Sequence, residues 1–207
     1  MLLKDYYYYF QNALTPRFCD EIIKYGNSQQ EKLALTEYME EEKLTQKVVK
    51  DLKKKRDSNI VWMTDPWIYK EIHPYIHAAN KLAGWNFDWD FSEACQFTKY
   101  KLNQFYDWHC DSFSSPYNDP NNKIRHGKIR KLSVTCSLSD PKDYKGGELE
   151  FDYRNADKGK PVIVKCKQIA PRGSIVVFPS HVWHRVKPVT KGIRYSLVIW
   201  NTGYPFK

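Results

Sequence analysis

From residue 94 onward, apolar and polar positions alternate in short runs, the two-residue period of strands with one buried face. The runs are 94–101, 105–111, 131–138, 148–153, 161–165, 173–178 and 193–200. Turn-forming pairs and triplets separate them, among them Asp140-Pro141, Gly146-Gly147 and Pro171-Arg172-Gly173. The first half of the chain has a different rhythm. After a short strand over 6–10, Thr15-Pro16 is set to open a helix as N-cap and first helical residue. Phe18, Ile22 and Ile23 share its apolar face, and Gly26 is expected to close it. A second helix is predicted from Asp65-Pro66 to Gly84, with Ile68, Ile72, Ile76 and Ala79 recurring every three or four residues. Pro74 falls inside that pattern and is expected to kink or split it.

Between the helices, residues 29–56 lose the pattern to charge, with Glu40-Glu41-Glu42 early and Lys53-Lys54-Lys55-Arg56 late. The plain expectation is a solvated helix or mobile segment; a basic docking surface is the alternative. Two helices followed by many short strands predict an α+β, mainly β fold, with helices packed on a sandwich or barrel. The chain is expected to form a single domain over 1–207, with N-terminal helical support over 1–90 and a catalytic core over 91–203.

Composition narrows the function. Hydrophobic residues make up 42% of the 207 and aromatics 15%, which excludes a disordered chain and favours stacked sheets. The formal net charge of +9 is compatible with nucleic acid, an acidic protein or an anionic small molecule. Five widely spaced cysteines without a C-x-x-C argue against a zinc framework or a secreted disulfide scaffold, and fit a reducing cytoplasm. The N-terminus does not read as a signal peptide, and no apolar run reaches membrane-spanning length.

The chemistry gathers around F-Y-D-W-H-C-D, residues 105–111. On a strand His109 and Asp111 share a face while Cys110 points away, so two ligands can reach one ion. An H-x-D tripeptide alone is a weak signal. His184, 184 − 111 = 73 residues beyond Asp111, supplies a third ligand if the two strands face each other. Two imidazoles and one carboxylate make the facial triad of non-haem Fe(II) oxygenases, which leaves positions open for substrates. His181 is the rival ligand and ranks below His184, because it suits a turn. His73 and His77 are four apart, imitating a zinc helix, but no Glu follows His73 and no third ligand is near.

Arg194 stands ten residues past His184 in the alternating run R-Y-S-L-V-I-W, where Arg194, Ser196, Val198 and Trp200 share one face. An inward guanidinium is costly without an anionic partner. A dicarboxylate cofactor would supply one, its far carboxylate pairing with the arginine while its oxo-acid end chelates iron. A protein carboxylate is the competing partner.

With these residues in place, the chain resembles the 2-oxoglutarate/Fe(II) dioxygenases, specifically their prolyl 4-hydroxylase-like group. The resemblance rests on H-x-D at 109–111, H-R-V-x-P-V at 184–189, G-x-R at 192–194 and Trp200. K-Y-K-L-N-Q-F-Y-D-W-H-C-D, Y-K-G-G-E-L at 144–149 and the opening L-T-P-R-F-C-D-E-I-I are similar to further blocks of that group. The match spans residues 10–28 and 57–203. It implies a double-stranded β-helix (jelly-roll) core and iron held by His109, Asp111 and His184. It also implies 2-oxoglutarate paired with Arg194, with Tyr100 and Ser196 beside its distal carboxylate. Tyr106 and Trp200 match positions on the substrate side. Asn103 departs from the family's usual glycine. Aspartate at 111 argues against the halogenating variant. Segment 112–128 resembles a loop that folds over a peptide, or is a plain surface loop with His126 exposed.

The implied reaction consumes 2-oxoglutarate and O2, yields succinate and CO2, and hydroxylates a C–H bond, with L-ascorbate as an aid to oxidised iron. The expected substrate is a prolyl residue of a protein or peptide. Alternatives are a small molecule or free amino acid, a nucleic-acid demethylase and a non-catalytic jelly-roll binding module. The demethylase is disfavoured because base-repairing relatives carry a second arginine where this chain has Trp200.

Overall fold

The computed structural model of the protein describes residues 5–34, 45–153 and 160–206; the acidic run Glu40-Glu41-Glu42 lies outside them. The chain enters through β1 (Tyr8–Phe10) and α1 (Pro16–Ser28). Thr15 starts α1 as expected: its hydroxyl accepts the Phe18 N–H at 3.1 Å, and Pro16 occupies the first turn. Gly26 does not stop the helix, which continues to Ser28. The glycine serves packing instead, because a Cβ there would lie 2.5 Å from the Phe97 ring. Gly26→Ala gains about 1 kcal/mol of helix propensity. The overlap with a fixed core ring costs about 1–3 kcal/mol, so the overlap wins. The variant should unfold at lower urea than wild type, and an unchanged or higher midpoint would refute this reading.

Next come β2 (Lys32–Leu33), α2 (Gln46–Lys53), β3 (Arg56–Asp57) and β4 (Asn59–Met63). Helix α3 (Pro66–Leu82) follows and buries Ile68, Ile72, Ile76 and Ala79, the four positions its periodicity marked. It runs through Pro74 without splitting, and Gly84 follows its end at φ +71°, the left-handed turn a glycine permits.

All seven strand runs expected from the alternation are present. They form β6 (Cys95–Tyr100), β7 (Phe105–His109), β8 (Ile129–Ser137), β10 (Leu149–Asp152), β11 (Ile163–Lys165), β12 (Ile175–Pro179) and β15 (Arg194–Gly203). Between them lie β5 (Phe91–Ser92), β9 (Tyr144–Gly146), β13 (Trp183–Val186) and β14 (Val189–Gly192). The larger sheet has the order β1-β12-β8-β15-β6-β4-β2, with β5 on β15. The smaller has the order β11-β10-β13-β7-β3, and β14-β9 forms a separate hairpin. The first ninety residues therefore support the core with more than helices, because β1, β2 and β4 widen the large sheet and β3 edges the small one.

Two apolar clusters hold these layers. Phe18, Ile22, Ile68, Ile72 and Ile76 of the helices pack against Phe97, Val134, Ile175 and Leu197 of the large sheet. Leu149, Phe151, Val176, Phe178 and Val186 fill the space between the sheets. The result is a mainly β fold with three α-helices among the described residues, laid on one face of a jelly roll. No helix among the described residues is long and apolar enough to cross a membrane.

Candidate active site

Strand pairing alone brings the two histidines together. His109, the last residue of β7, lies in register with His184 of β13, and their ring centroids are 4.1 Å apart. Asp111 is not on the strand as the alternation predicted; β7 ends at His109 and Asp111 occupies the bend beyond it. Its position is fixed by the backbone: the N–H groups of Asp111 and Ser112 both donate to the Ser180 carbonyl, at 2.8 and 3.0 Å. The carboxylate still reaches both rings. His109 Nε2 is 3.7 Å from Asp111 Oδ1, and His184 Nε2 is 3.6 Å from Oδ2. Ligand atoms of these three buried residues lie within 4.8 Å of one another, close enough to hold one metal ion.

The surroundings prepare the donors. Nδ1 of His109 is 2.7 Å from the Asp107 carbonyl, and Nδ1 of His184 is 3.0 Å from the Val182 carbonyl. A carbonyl only accepts, so Nδ1 carries the proton in each ring and Nε2 presents its lone pair to the centre. Burial, then the nearby His184, pushes the His109 imidazolium well below its ordinary pKa, so this ring is neutral as a ligand must be. Burial alone would raise the Asp111 carboxyl. His184 and His109, then Arg130 and the Ser133 hydroxyl at 2.7 Å, outweigh it and hold the group below its ordinary value. Two imidazoles and one carboxylate, with ring orientation fixed from behind, fit a divalent cation of the Fe(II) kind.

Arg194 faces the same cavity. It opens β15 opposite Tyr100 of β6 and is 3% exposed. Its Nη1 donates to Ser196 Oγ at 3.4 Å, and the guanidinium carbon lies 5.5 Å from the Tyr100 ring centre. Among the described residues no carboxylate pairs with it, so the rival partner considered above, a protein carboxylate, is not there. The Gly146-Gly147 turn closes on its stem: Gly147 has φ +65°, and a Cβ there would lie 2.8 Å from Arg194 Cδ. A buried, uncompensated guanidinium beside a two-histidine, one-carboxylate cluster is suited to a small dianion bridging both.

Tyr106 and Trp200 also line this cavity, with Ser196 and Tyr100. Tyr106 stacks on His109 at 3.4 Å between ring centroids. His181 is exposed on the turn before β13, as its lower ranking anticipated. His73 bonds Ser92 at 3.0 Å, and His77 stacks on Trp89. In segment 112–128 the Tyr117 hydroxyl donates to Glu93 at 2.7 Å, and His126 is exposed.

Several contributors escaped sequence reading. Arg56 lines the cavity, buried, with its guanidinium 4.4 Å over Tyr106, yet in sequence it only ends a lysine run. The R-D-S-N-I-V-W-M stretch, a strand entering the core, was the one available clue. Ser133, which holds Asp111, looks like any serine of an alternating strand. Arg130 forms a two-pronged pair with Glu93, at 2.9 and 2.6 Å, and its guanidinium lies 3.9 Å over Trp200.

Fold and site together define a jelly roll with a two-histidine, one-carboxylate centre next to a buried arginine. The chain belongs to the 2OG-Fe(II) oxygenase superfamily, whose family profile matches residues 95–202, just over half of the sequence. Members of this family use Fe(II), 2-oxoglutarate and O2. A PKHD-type hydroxylase of a Synechococcus strain is 38% identical over 77 residues, 37% of this chain and 31% of the relative. The PKHD-type hydroxylase YbiX of Escherichia coli is 37% identical over 107 residues, 50% of this chain and 40% of the relative. The aligned part of the chain thus spans less than half the length of either relative. Among solved structures, the viral collagen prolyl hydroxylase of Paramecium bursaria Chlorella virus-1 superposes with a TM-score of 0.63 at 17% identity, covering 97% of both chains. A Pseudomonas putida prolyl-4-hydroxylase gives 0.60 at 20% identity, covering 96% of this chain and 92% of the other. At those identities the likeness concerns the fold.

Proposed function

We propose that the chain is one catalytic domain that hydroxylates an unactivated C–H bond of a prolyl residue in a protein, with Fe(II), 2-oxoglutarate and O2. The observation that carries this is the shared cavity of His109, Asp111, His184 and Arg194, in which three ligand side chains face a buried guanidinium that has no carboxylate partner among the described residues. In the balanced reaction, 2-oxoglutarate, O2 and a C–H bond become succinate, CO2 and C–OH. Bound Fe(II) supplies the activation of O2. The protein's residues do the rest. His109, Asp111 and His184 hold the metal, and Arg194, Tyr100 and Ser196 hold the far carboxylate of 2-oxoglutarate. Apolar walls such as Leu149, Phe178 and Val186 exclude water. The relatives and structural neighbours, PKHD-type and prolyl hydroxylases, support a prolyl target.

Trp200 has a specific role in this reading. Its Nε1 is buried without a hydrogen-bond partner among the described residues, while the residue lines the cavity. An orphan donor there fits an acceptor oxygen brought by the substrate. Trp200→Phe keeps a ring and removes the donor, which should raise the peptide KM about 3- to 15-fold with the KM for 2-oxoglutarate unchanged. An unchanged peptide KM would contradict the role. The reading as a whole is tested by turnover of a proline-containing peptide library. A mass gain of one oxygen on proline, stoichiometric with succinate, supports it. Succinate formation coupled only to free amino acids or small molecules sinks the protein substrate.

A further inference from the structure

Resting on that reading, we infer that α2 and its link into β3 form a basic rim that docks acidic residues flanking the target of a substrate protein. Residues 46–57 carry Lys47, Lys50, Lys53, Lys54, Lys55 and Arg56 against Asp51 and Asp57. All five lysines are exposed. Lys54 pairs with Asp51 at 2.7 Å and Lys53 reaches Asp57 at 4.0 Å. Lys47, Lys50 and Lys55 meet no carboxylate among the described residues. The nearby Asp107, also exposed, raises the acids of this rim to three, half the number of cations.

What distinguishes this run from an ordinary solvated face is where it leads. The Lys55 carbonyl accepts the Asp107 N–H at 2.8 Å, two residues before His109. The next side chain, Arg56, turns inward, donates to Ser58 at 3.0 Å and covers Tyr106 in the cavity wall. Positive charge is therefore continuous from the outer face of α2 to the edge of the candidate centre. No residue of α2 is fully buried: Val48, Val49 and Leu52 are half-buried and its other side chains are exposed. An acidic chain segment approaching the cavity wall at β3 would be drawn to this field. Nucleic acid fits less well, because residues 46–57 contain no aromatic ring on which a base could stack.

The test uses the full chain with Fe(II) and 2-oxoglutarate under argon, and fluorescence anisotropy of labelled peptides of one length with a central proline. Their flanks are Asp/Glu, Ser/Gly or Lys, and a labelled single-stranded oligonucleotide is run beside them. At low salt the acidic peptide should bind about 10-fold more tightly than the neutral one, and the preference should shrink to about 2-fold near 0.5 M salt. The triple variant K47E/K50E/K55E should erase the preference and leave the neutral peptide's Kd unchanged. Equal affinity for acidic and neutral peptides overturns the inference, as does a preference that survives the triple variant or tighter binding of the oligonucleotide. In a parallel turnover assay in air, equal hydroxylation of all peptides regardless of flank would sink the rim and leave the prolyl reading intact. An acidic preference in binding with no peptide hydroxylated would do the reverse.

Discussion

Replacing Arg194 with methionine should raise the 2-oxoglutarate concentration for half-maximal succinate formation by roughly 30- to 1000-fold. That range corresponds to about 2–4 kcal/mol, within the loss expected when one partner of a buried charge pair is truncated. Methionine fills most of the aliphatic stem's space beside Gly147, so the cavity should keep its shape. The free protein should respond in the opposite sense. Arg194 is 3% exposed and among the described residues has only the Ser196 hydroxyl and the Tyr100 ring as polar company. Removing an uncompensated buried cation should leave the urea midpoint unchanged or higher when 2-oxoglutarate is absent. Added 2-oxoglutarate should stabilise wild type and not the variant. Co-substrate affinity within about 3-fold of wild type would contradict the assignment, because a contact worth less than about 1 kcal/mol is not a buried ion pair.

The second large effect concerns Asp111→Asn. Asparagine keeps the shape and the oxygen that Ser133 bonds, but the cavity loses the one carboxylate that lines it among the described residues. Outer-shell changes at metal sites cost about 10- to 100-fold in metal affinity. Loss of the charged ligand itself should cost Fe(II) affinity at least about 100-fold, and succinate formation with it. Stability separates this from misfolding. The metal-free variant should unfold within about 1 kcal/mol of wild type, since a desolvated carboxylate gives way to a neutral group of equal volume. Undiminished iron affinity in a folded Asp111→Asn protein would show that the carboxylate is not a ligand.

Much of this site was legible in the sequence because sheet pairing enforces what alternation encodes. Arg194, Ser196 and Trp200 share a face of β15 by period two, and all three line the cavity. His184 could be chosen over His181 because His181 precedes the apolar pair Val182-Trp183 and suits a turn. Asn103 looked like a defect where the family has glycine, yet it sits at φ +64°, a conformation asparagine tolerates better than most residues. What stayed hidden depends on partners distant in sequence. Strand β4 escaped because Ile60 and Val61 are both buried, which destroys the alternation. Gly26 read as a helix stop because nothing local announces the Phe97 ring seventy-one residues away. Arg56 belongs to the cavity only through its pairing with Tyr106 across the β3–β7 edge. Asp111 reached its predicted neighbours by an unpredicted route, a bend held by the Ser180 carbonyl rather than a continuing strand.

The most direct measurement is anaerobic calorimetric titration of Fe(II) into the protein saturated with 2-oxoglutarate, run in parallel on His109→Ala and His184→Ala. Wild type should take up one ion per chain, more tightly with 2-oxoglutarate than without it, and neither variant should bind at that site. Equal uptake by all three proteins would mean that the histidines brought together by β7 and β13 do not hold the metal.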